Sequence, residues 1–324
     1  MNKGHRLLVT GANGYLGAQI CSHLAKNGFS VLAWCFPNVP DDADWCNQME
    51  DVFVGDLTDN ATIEKLLDKD IETIIHLVSM DHHQSQVATP KQALDVNVQP
   101  CWNLLNAFSK KGLKRFLYFS TIHVYGQIPS EIIDESRSTD APNVYALTHA
   151  MCESLCAYFN KTTSVQCMVA RLSNSYGKPV FSDNNCWWLA VNDLCKNAYQ
   201  QRCIRLQSDG SPMRDFINGL DVCRAVACLL TQAKPVSEPI YHISSAETKT
   251  LLELAGLVQR VYQTRYGQQI PVQLPNGEVV AHFDIYADKP RYTIDNQKLK
   301  ALGFEPTLGL EQGINDLFDY LEKQ

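Results

Sequence analysis

The chain has 324 residues, 45% hydrophobic and 19% charged, with a formal net charge of -7. The length suits one large domain, or a main domain with a smaller appendage, and the composition is that of an ordinary globular protein. The acidic balance argues against phosphate backbones and anionic lipid, so nucleic acid and membrane are not expected as partners, while an anionic small molecule still fits a local basic pocket.

Taken in chain order, the first half alternates short apolar runs with helical patterns. "RLLVT" reads as a strand and leads into a helix over about 15–27. "SVLAW" and "DVFVGD" are the next strands, followed by a helix near 60–67 and the strand "TIIHLVS". A helix over about 90–111 leads to "RFLYFST", and the helix carrying Tyr145 leads to "SVQCMVAR". The strands are rich in Val, Ile, Leu and Phe without clean alternation, which suits a sheet covered on both faces. Repeated strand–helix order indicates an α/β fold with a doubly wound parallel sheet, its functional loops at the carboxyl ends of the strands.

After Gly177 the rhythm changes. "KPVFSDNN" is a loop, a helix spans about 187–200, and "CIRLQSDGSPMRDFI" reads as a strand, a turn and a second short strand. Helices and short strands follow, among them "PIYHIS" and "IPVQL". Residues 1–177 are expected to form mainly the nucleotide-binding domain. Residues 178–324 are expected to form mainly a smaller α/β substrate lobe, interleaved with the end of the first.

Twelve cysteines are scattered with no Cys-x-x-Cys pair, and many, such as Cys167, lie in apolar runs. They read as small buried hydrophobes in a reducing cytoplasm rather than as disulfides or metal ligands. The first apolar run is cut short by Gly11 and no stretch is long enough to cross a bilayer, so a cytoplasmic protein is expected.

"VTGANGYLG" stands between the first strand and the first helix. Gly11 permits a tight turn, Gly14 lets the backbone approach a pyrophosphate, and Gly17 lets the helix pack close to the strand. The helix N-terminus then offers free N–H groups and a positive dipole end. Asn13, Tyr15 and Leu16 complete this dinucleotide-binding turn. At the end of the second strand Cys35 and Phe36 stand where an acid would select NAD or an arginine NADP. The absence of Arg and Lys there leans to NAD, with NADP still open. Asp56 and Leu57 follow the third strand, where the acid either reaches an adenine edge or merely starts a turn. Leu77, Val78 and Ser79 end the fourth strand and are expected to face the same cofactor.

"TGANGYLG", "VGDL", "IIHLVS", "STIHVYG", "YALTHAMCE", "ARLSNSYG" and "RDFINGLDV" occur in that order. Together they resemble the extended short-chain dehydrogenase/reductase family, the nucleotide-sugar epimerases and dehydratases, over about residues 6–315. The resemblance implies a Rossmann-type fold, tightly bound NAD(P), a nucleotide-diphosphate sugar substrate and a homodimer formed by the helices near 90–111 and 144–160. It implies that Thr121 hydrogen-bonds the substrate oxygen at the reacting carbon and that Tyr145 is the proton donor or acceptor. The family's lysine, which would stabilise the Tyr145 phenolate and bond the nicotinamide ribose, is replaced by His149. A phenol of pKa near 10 is a poor base without a nearby cation. Two readings of Glu153, one turn further on, stay open: it holds His149 as imidazolium, or it only caps or packs. A weakened or lost redox activity is a further reading of His149.

In the family's 4,6-dehydratases an acid pair follows the catalytic Thr; here Ile122 and His123 follow, which disfavours that elimination. A 4-epimerase or a keto-sugar reductase remains, the epimerase slightly preferred. His123 reads as a loop histidine bonding a hydroxyl or as a substitute acid/base. His82 and His83 read as substrate-facing loop residues rather than metal ligands, since adjacent histidines point apart on an extended chain. By resemblance Arg214 grips the nucleotide diphosphate, the alternative being a surface ion pair with Asp215. Arg291 is a second phosphate contact, and Asn174 sits beside the sugar phosphates. Trp187 and Trp188 pack on a helix or line the pocket. The rival class is a catalytically silent dinucleotide-binding sensor or scaffold.

Overall fold

Seven parallel strands form the centre of the structure, a computed structural model that describes residues 6–232 and 239–324. They are β1 (Arg6–Thr10), β2 (Ser30–Cys35), β3 (Asp51–Val54), β4 (Ile71–His76), β5 (Arg115–Thr121), β6 (Gln166–Leu172) and β7 (Ile240–Ile243). Their spatial order is β7-β6-β5-β4-β1-β2-β3, so the winding reverses between β1 and β4 and opens a crevice at their carboxyl ends. This is the expected doubly wound Rossmann-type sheet.

The missing alternation in the strands has the expected cause. Leu7, Val9, Val31, Ala33, Ile75 and Leu117 point to one face, where the helices Tyr15–Lys26 and Gly219–Leu230 cover them with Ile20, Leu24, Val222, Val226 and Leu229. Leu8, Leu32, Trp34, Ile74, Phe116 and Tyr118 point to the other, under Leu104, Leu105 and Phe108 of the helix Gln99–Phe108 and Cys152, Cys156 and Phe159 of the helix Val144–Thr162. Period-2 strands buried on both sides must be apolar throughout. All twelve cysteines are free and ten of them are buried, in keeping with their reading as small hydrophobes.

One expectation needs correction. The single helix over about 90–111 is two, Pro90–Asn97 and Gln99–Phe108, parted at Val98. Pro100 has no N–H to continue the first helix and fits the first turn of the second. The strands Ile204–Arg205 and Met213–Asn218 both form, in different sheets. The first pairs in parallel with Val272–Gln273, and the second lies between Asn174–Tyr176 and Thr248–Thr250. "PIYHIS" supplies β7 at the edge of the main sheet. The lobe has its own core, in which Val191, Leu194, Phe216, Leu254, Val258, Ile314 and Phe318 meet. Among the described residues no helix is long and apolar enough to cross a membrane.

Three histidines are sealed in the interior. His76 ends β4 with its Nδ1 2.7 Å from the Thr10 hydroxyl. His242 lies between the Tyr125 hydroxyl at 2.6 Å and the Asp295 carbonyl at 2.7 Å. His149 lies on the buried face of the helix Val144–Thr162. Burial, the largest cause in each case, lowers His76 to about 3 and His149 and His242 to about 4. Each is neutral when folded but binds a proton below about 6.5 when unfolded, so stability falls as pH drops from about 6.5 towards 4. Burial raises Asp215, to about 6, and Glu135, and both act in the opposite direction. The histidines outnumber them, with a net loss on the order of a few kcal/mol by pH 5. Thermal melting should therefore show a midpoint several degrees lower at pH 5 than at pH 7; an equal or higher midpoint at pH 5 would contradict this balance.

Candidate active site

The glycine turn caps the carboxyl end of β1. Gly11 has φ +70°, in the left-handed region that favours glycine, and a side chain there would press on Val78 Cγ2 at 3.3 Å. A Cβ on Gly17 would lie 2.0 Å from the Gly11 carbonyl oxygen, so helix and turn touch only because Gly17 has no side chain. Gly14 is exposed and begins the helix with no side-chain cap and no acid in its first turn, leaving its N–H groups and positive dipole end open to an anion. Asn13 binds the loop after β2: its Nδ2 donates to the Phe36 carbonyl at 3.0 Å and its Oδ1 accepts from the Phe36 N–H at 3.3 Å. Tyr15 is a strut to the lobe, donating to the Gly177 carbonyl at 3.1 Å, and Leu16 packs on the main core. Leu77, Val78 and Ser79, all half-buried, line the next loop. Asp56 is exposed and accepts from the Thr58 N–H and hydroxyl in a tight turn, while Leu57 is buried.

Thr121 is the last residue of β5, and Tyr145 lies in the first turn of the helix Val144–Thr162, which Asn143 caps through the Ala146 N–H at 2.9 Å. The two meet. Burial is the main influence on the Tyr145 phenol and raises its pKa, the Thr121 hydrogen bond lowers it, and the Asp81 carboxylate raises it, with a net rise. The His149 ring stands edge-on to Tyr145, centroids 4.6 Å apart. Its Nδ1 is 2.8 Å from the Tyr118 hydroxyl, and its buried Nε2 has no hydrogen-bond partner. Burial lowers His149 to about 4, with His123 adding to the fall and the Phe119 carbonyl opposing it. His149 is therefore neutral at pH 7 and lends Tyr145 no charge.

Glu153 does not hold His149 as imidazolium. Its Oε1 accepts from Arg171 Nε at 2.9 Å and from the Ser120 hydroxyl at 2.5 Å, and its Oε2 accepts from Arg171 Nη2 at 2.6 Å. That buried pair consumes the carboxylate, so its role is to fix the helix to β5 and β6.

Around Tyr145 the structure gathers the loop histidines. His82 and His123 stack 6.3 Å apart, and both rings approach Tyr145, at 5.9 and 6.2 Å. His83 meets the exposed Trp188 at 5.3 Å. The two tryptophans thus divide the expected roles: Trp188 faces the histidine loop, whereas Trp187 packs against Tyr320 and under Lys196. His82 and His83 begin a short helix, capped by Asp81, rather than an extended chain.

Across the cleft Arg214 lies on the strand Met213–Asn218, close enough for its charge to help push His123 down to about 4, after burial. It forms no ion pair with Asp215, which is buried and instead accepts from the Ser245 N–H and hydroxyl and the Glu247 N–H, each at 3.0 Å. Arg291 is engaged in a two-pronged pair with Glu253, at 2.6 and 2.9 Å, and donates to the Thr248 carbonyl. Asn174 Nδ2 donates to the Asp215 carbonyl at 3.0 Å.

Two positioning residues escape the sequence reading. Asn97, buried at the end of a helix, accepts from the Met80 N–H at 2.7 Å and donates to Thr148 at 2.9 Å, joining the loop after β4 to the helix Val144–Thr162. Asn184 donates to the Asn13 carbonyl at 2.9 Å, joining the lobe to the glycine turn. Neither belongs to a sequence pattern; a polar residue within an apolar period was the available signal only for Asn97. Tyr118 likewise reads as a core aromatic until its contact with His149 is seen.

The close contact at Gly17 makes a specific expectation. Gly17→Ala should destabilise the chain towards the upper part of the usual ~0.5–3 kcal/mol range and weaken dinucleotide binding, whereas Gly14→Ala, whose Cβ would meet the Gly11 oxygen at 3.2 Å, should be milder for stability. Chemical denaturation of both variants checks the ranking; equal stability would remove the constraint.

A family model described as the NAD dependent epimerase/dehydratase family matches residues 7–244. The chain is 23% identical to a dTDP-D-glucose 4,6-dehydratase from Mus musculus, over 98% of this chain and 89% of that protein. It is 24% identical to a putative UDP-glucose 4-epimerase from Methanocaldococcus jannaschii, over 98% of each. A solved UDP-glucuronic acid 4-epimerase from Bacillus cereus, in complex with UDP-glucuronic acid and NAD, superposes with a TM-score of 0.79 at 23% identity, covering 98% of this chain and 99% of the other. A UDP-glucose 4-epimerase from Thermotoga maritima superposes with a TM-score of 0.82 at 21% identity, with the same coverage. With well over half of its length matched, the chain belongs to the NAD-dependent epimerase/dehydratase family.

Proposed function

We propose that the protein binds NAD and a nucleotide-diphosphate sugar and acts by hydride transfer at a sugar carbon, as a 4-epimerase or a keto-sugar reductase. The observation that carries this reading is the cluster at the carboxyl end of β5, where Thr121 acts on the Tyr145 phenol and the rings of His82, His123 and His149 surround it, in the same crevice as an open helix N-terminus. Relatives named as epimerases and dehydratases, and neighbours solved with NAD and UDP-sugars, support it. The residues fit the dinucleotide: Gly11 and Gly14 leave a cradle without side chains, and the buried His149 Nε2 lacks a partner. The helix N-terminus at Gly14 would hold the pyrophosphate, with Asn13, Tyr15, Leu16 and Gly17 shaping the turn. Leu77, Val78 and Ser79 would line the site, Asp56 and Leu57 the adenine edge, and His149 the nicotinamide ribose. The chemistry that bound NAD supplies is the exchange of hydride with the sugar carbon.

Tyr145 moves the proton at the substrate oxygen, and Thr121 orients that oxygen. Arg214 has no carboxylate partner among the described residues and is the first choice for the substrate diphosphate. Asn174 stands beside it, and Arg291 can join only if its pair with Glu253 opens. His82, His83 and His123 face the sugar. Ile122 and His123 offer no carboxylate, so water elimination is not proposed. On the outer face of the catalytic helix Leu147, Met151 and Tyr158 are exposed and continue to Trp102 and Leu94 on its neighbours, a surface suited to a homodimer. A cytoplasmic location fits the free cysteines.

The neutral His149 favours one second reading, a catalytically weak or silent dinucleotide-binding sensor or scaffold. Identifying the co-purified nucleotide and assaying UDP-, GDP-, dTDP- and CDP-sugars separates the two: conversion supports the enzyme, and binding of NAD without any conversion supports the sensor. Tyr145→Phe should lower turnover about 10²–10⁴-fold. With no cation beside a raised phenol, the oxidative half-reaction should still be rising with pH above neutrality. His149→Lys should move that rise about 1–3 units lower; an unmoved kcat/KM profile would show that the charge at this position does not govern Tyr145.

A further inference from the structure

His149 replaces a cation with a neutral ring, so what it does depends on which nitrogen holds the proton. The structure constrains that choice through Tyr118. Tyr118 is on β5, 1% exposed, and burial raises its pKa well above the usual phenol value, so it is an O–H group throughout the working range. A buried hydroxyl proton needs an acceptor. The His149 Nδ1 is 2.8 Å away. The neighbouring Cys152 thiol is a weak acceptor and turns its own S–H to the Asn97 carbonyl at 3.2 Å. If Nδ1 carried the proton, the Tyr118 proton would face another donor or be left with the weak thiol. If Nδ1 is bare, the Tyr118 O–H donates to it and the ring proton is on Nε2. That nitrogen is the one that is buried and unpartnered.

We infer that Tyr118 is a positioning residue that fixes His149 as its Nε2–H tautomer, making His149 an uncharged hydrogen-bond donor to a hydroxyl of the bound dinucleotide. The inference rests on the functional reading above only for the identity of that acceptor. The groups facing the ring include His76, His123, Tyr118, Tyr145 and the Phe119 carbonyl, which accepts but carries no charge, and none of them is an acid that would hold a second proton on it. His149 thus keeps the orienting hydrogen bond of a cation without its charge. It aligns the ligand and leaves the acidity of Tyr145 to Thr121 and to burial.

Nitrogen-15 NMR of the full chain labelled at histidine tests this directly. The His149 signals, identified by their loss in His149→Lys, should show a protonated Nε2 and a bare Nδ1, with no conversion to imidazolium between pH 8 and pH 6. In Tyr118→Phe the signals should shift towards the other tautomer or a mixture, and the NAD dissociation constant, from titration calorimetry, should rise about 3–10-fold, the range for one lost hydrogen bond. A protonated Nδ1 in the wild type overturns the inference, as does a Tyr118→Phe protein with unchanged tautomer and unchanged NAD affinity, whatever its loss of thermal stability. If Tyr118→Phe does not fold, the wild-type spectrum decides alone. If the wild type binds no NAD, the functional reading fails, while the spectrum still decides the tautomer.

Discussion

The buried pair of Arg171 and Glu153 is the constraint on which the site depends. Both side chains are sealed from water, so neither charge could stay without the other. Glu153 comes from the catalytic helix, Arg171 from β6, and Ser120 from β5, and the three meet at one carboxylate. Arg171 continues to the Tyr125 hydroxyl at 2.6 Å, and that hydroxyl to His242 on β7. One polar chain thus crosses three adjacent strands and the helix that carries Tyr145. Apolar packing could hold that helix against the sheet in several sliding positions. A two-pronged ion pair permits one, and so fixes the height at which the Tyr145 hydroxyl meets Thr121. The same pair removes Glu153 from the service of His149, which leaves the imidazole to its burial.

The parts of the fold legible in sequence are those governed by short-range rules. The strands of the parallel sheet announce themselves by unbroken apolar runs, and the Gly11–Gly14–Gly17 spacing by a turn that tolerates no side chain at the first and last positions. Thr121, Tyr145 and the loop histidines could be placed near one another because a parallel sheet brings the carboxyl ends of its strands together. What was not legible depended on which partner a group would choose. Glu153 lies one turn from His149 and could have served it, but Arg171, eighteen positions away, offers a forked partner of full charge. Arg291 looked like a free phosphate ligand until Glu253, far from it in sequence, took both prongs. The place of β7 was not legible for a related reason: a short apolar run says that a strand forms, not which edge it joins.

The lobe completes what the sheet begins. Asn184 and Tyr15 tie it to the glycine turn from opposite directions, one reaching the Asn13 carbonyl and the other the Gly177 carbonyl. The strand bearing Arg214 is held by Asn174–Tyr176 on one side and Thr248–Thr250 on the other. The buried Asp215 beside it anchors the turn at Ser245 and Glu247 instead of cancelling the arginine's charge. Adjacent residues on a strand point to opposite faces, which is why Arg214 can stay available while its neighbour is consumed.

Charge and proton chemistry are therefore separated in this cleft. Arg214 stands on the lobe side, where an anionic group of the substrate would be held. Beside Tyr145, His149 and His123 are both lowered to about 4, and the nearest named charge, Asp81, opposes phenolate. A lysine in place of His149 would bring a full charge beneath the phenol at the cost of desolvating an ammonium group against Tyr118 and His76. The imidazole avoids that desolvation and fills the same space with a ring that packs edge-on against Tyr145. What it forgoes is electrostatic assistance to the phenolate, so at neutral pH Tyr145 rests as a phenol, ready to give a proton before it can take one. On the role proposed for Tyr145, the family frame persists with its balance moved: the geometry for proton transfer is kept, and the ease of the oxidative direction is what the substitution at His149 gives up.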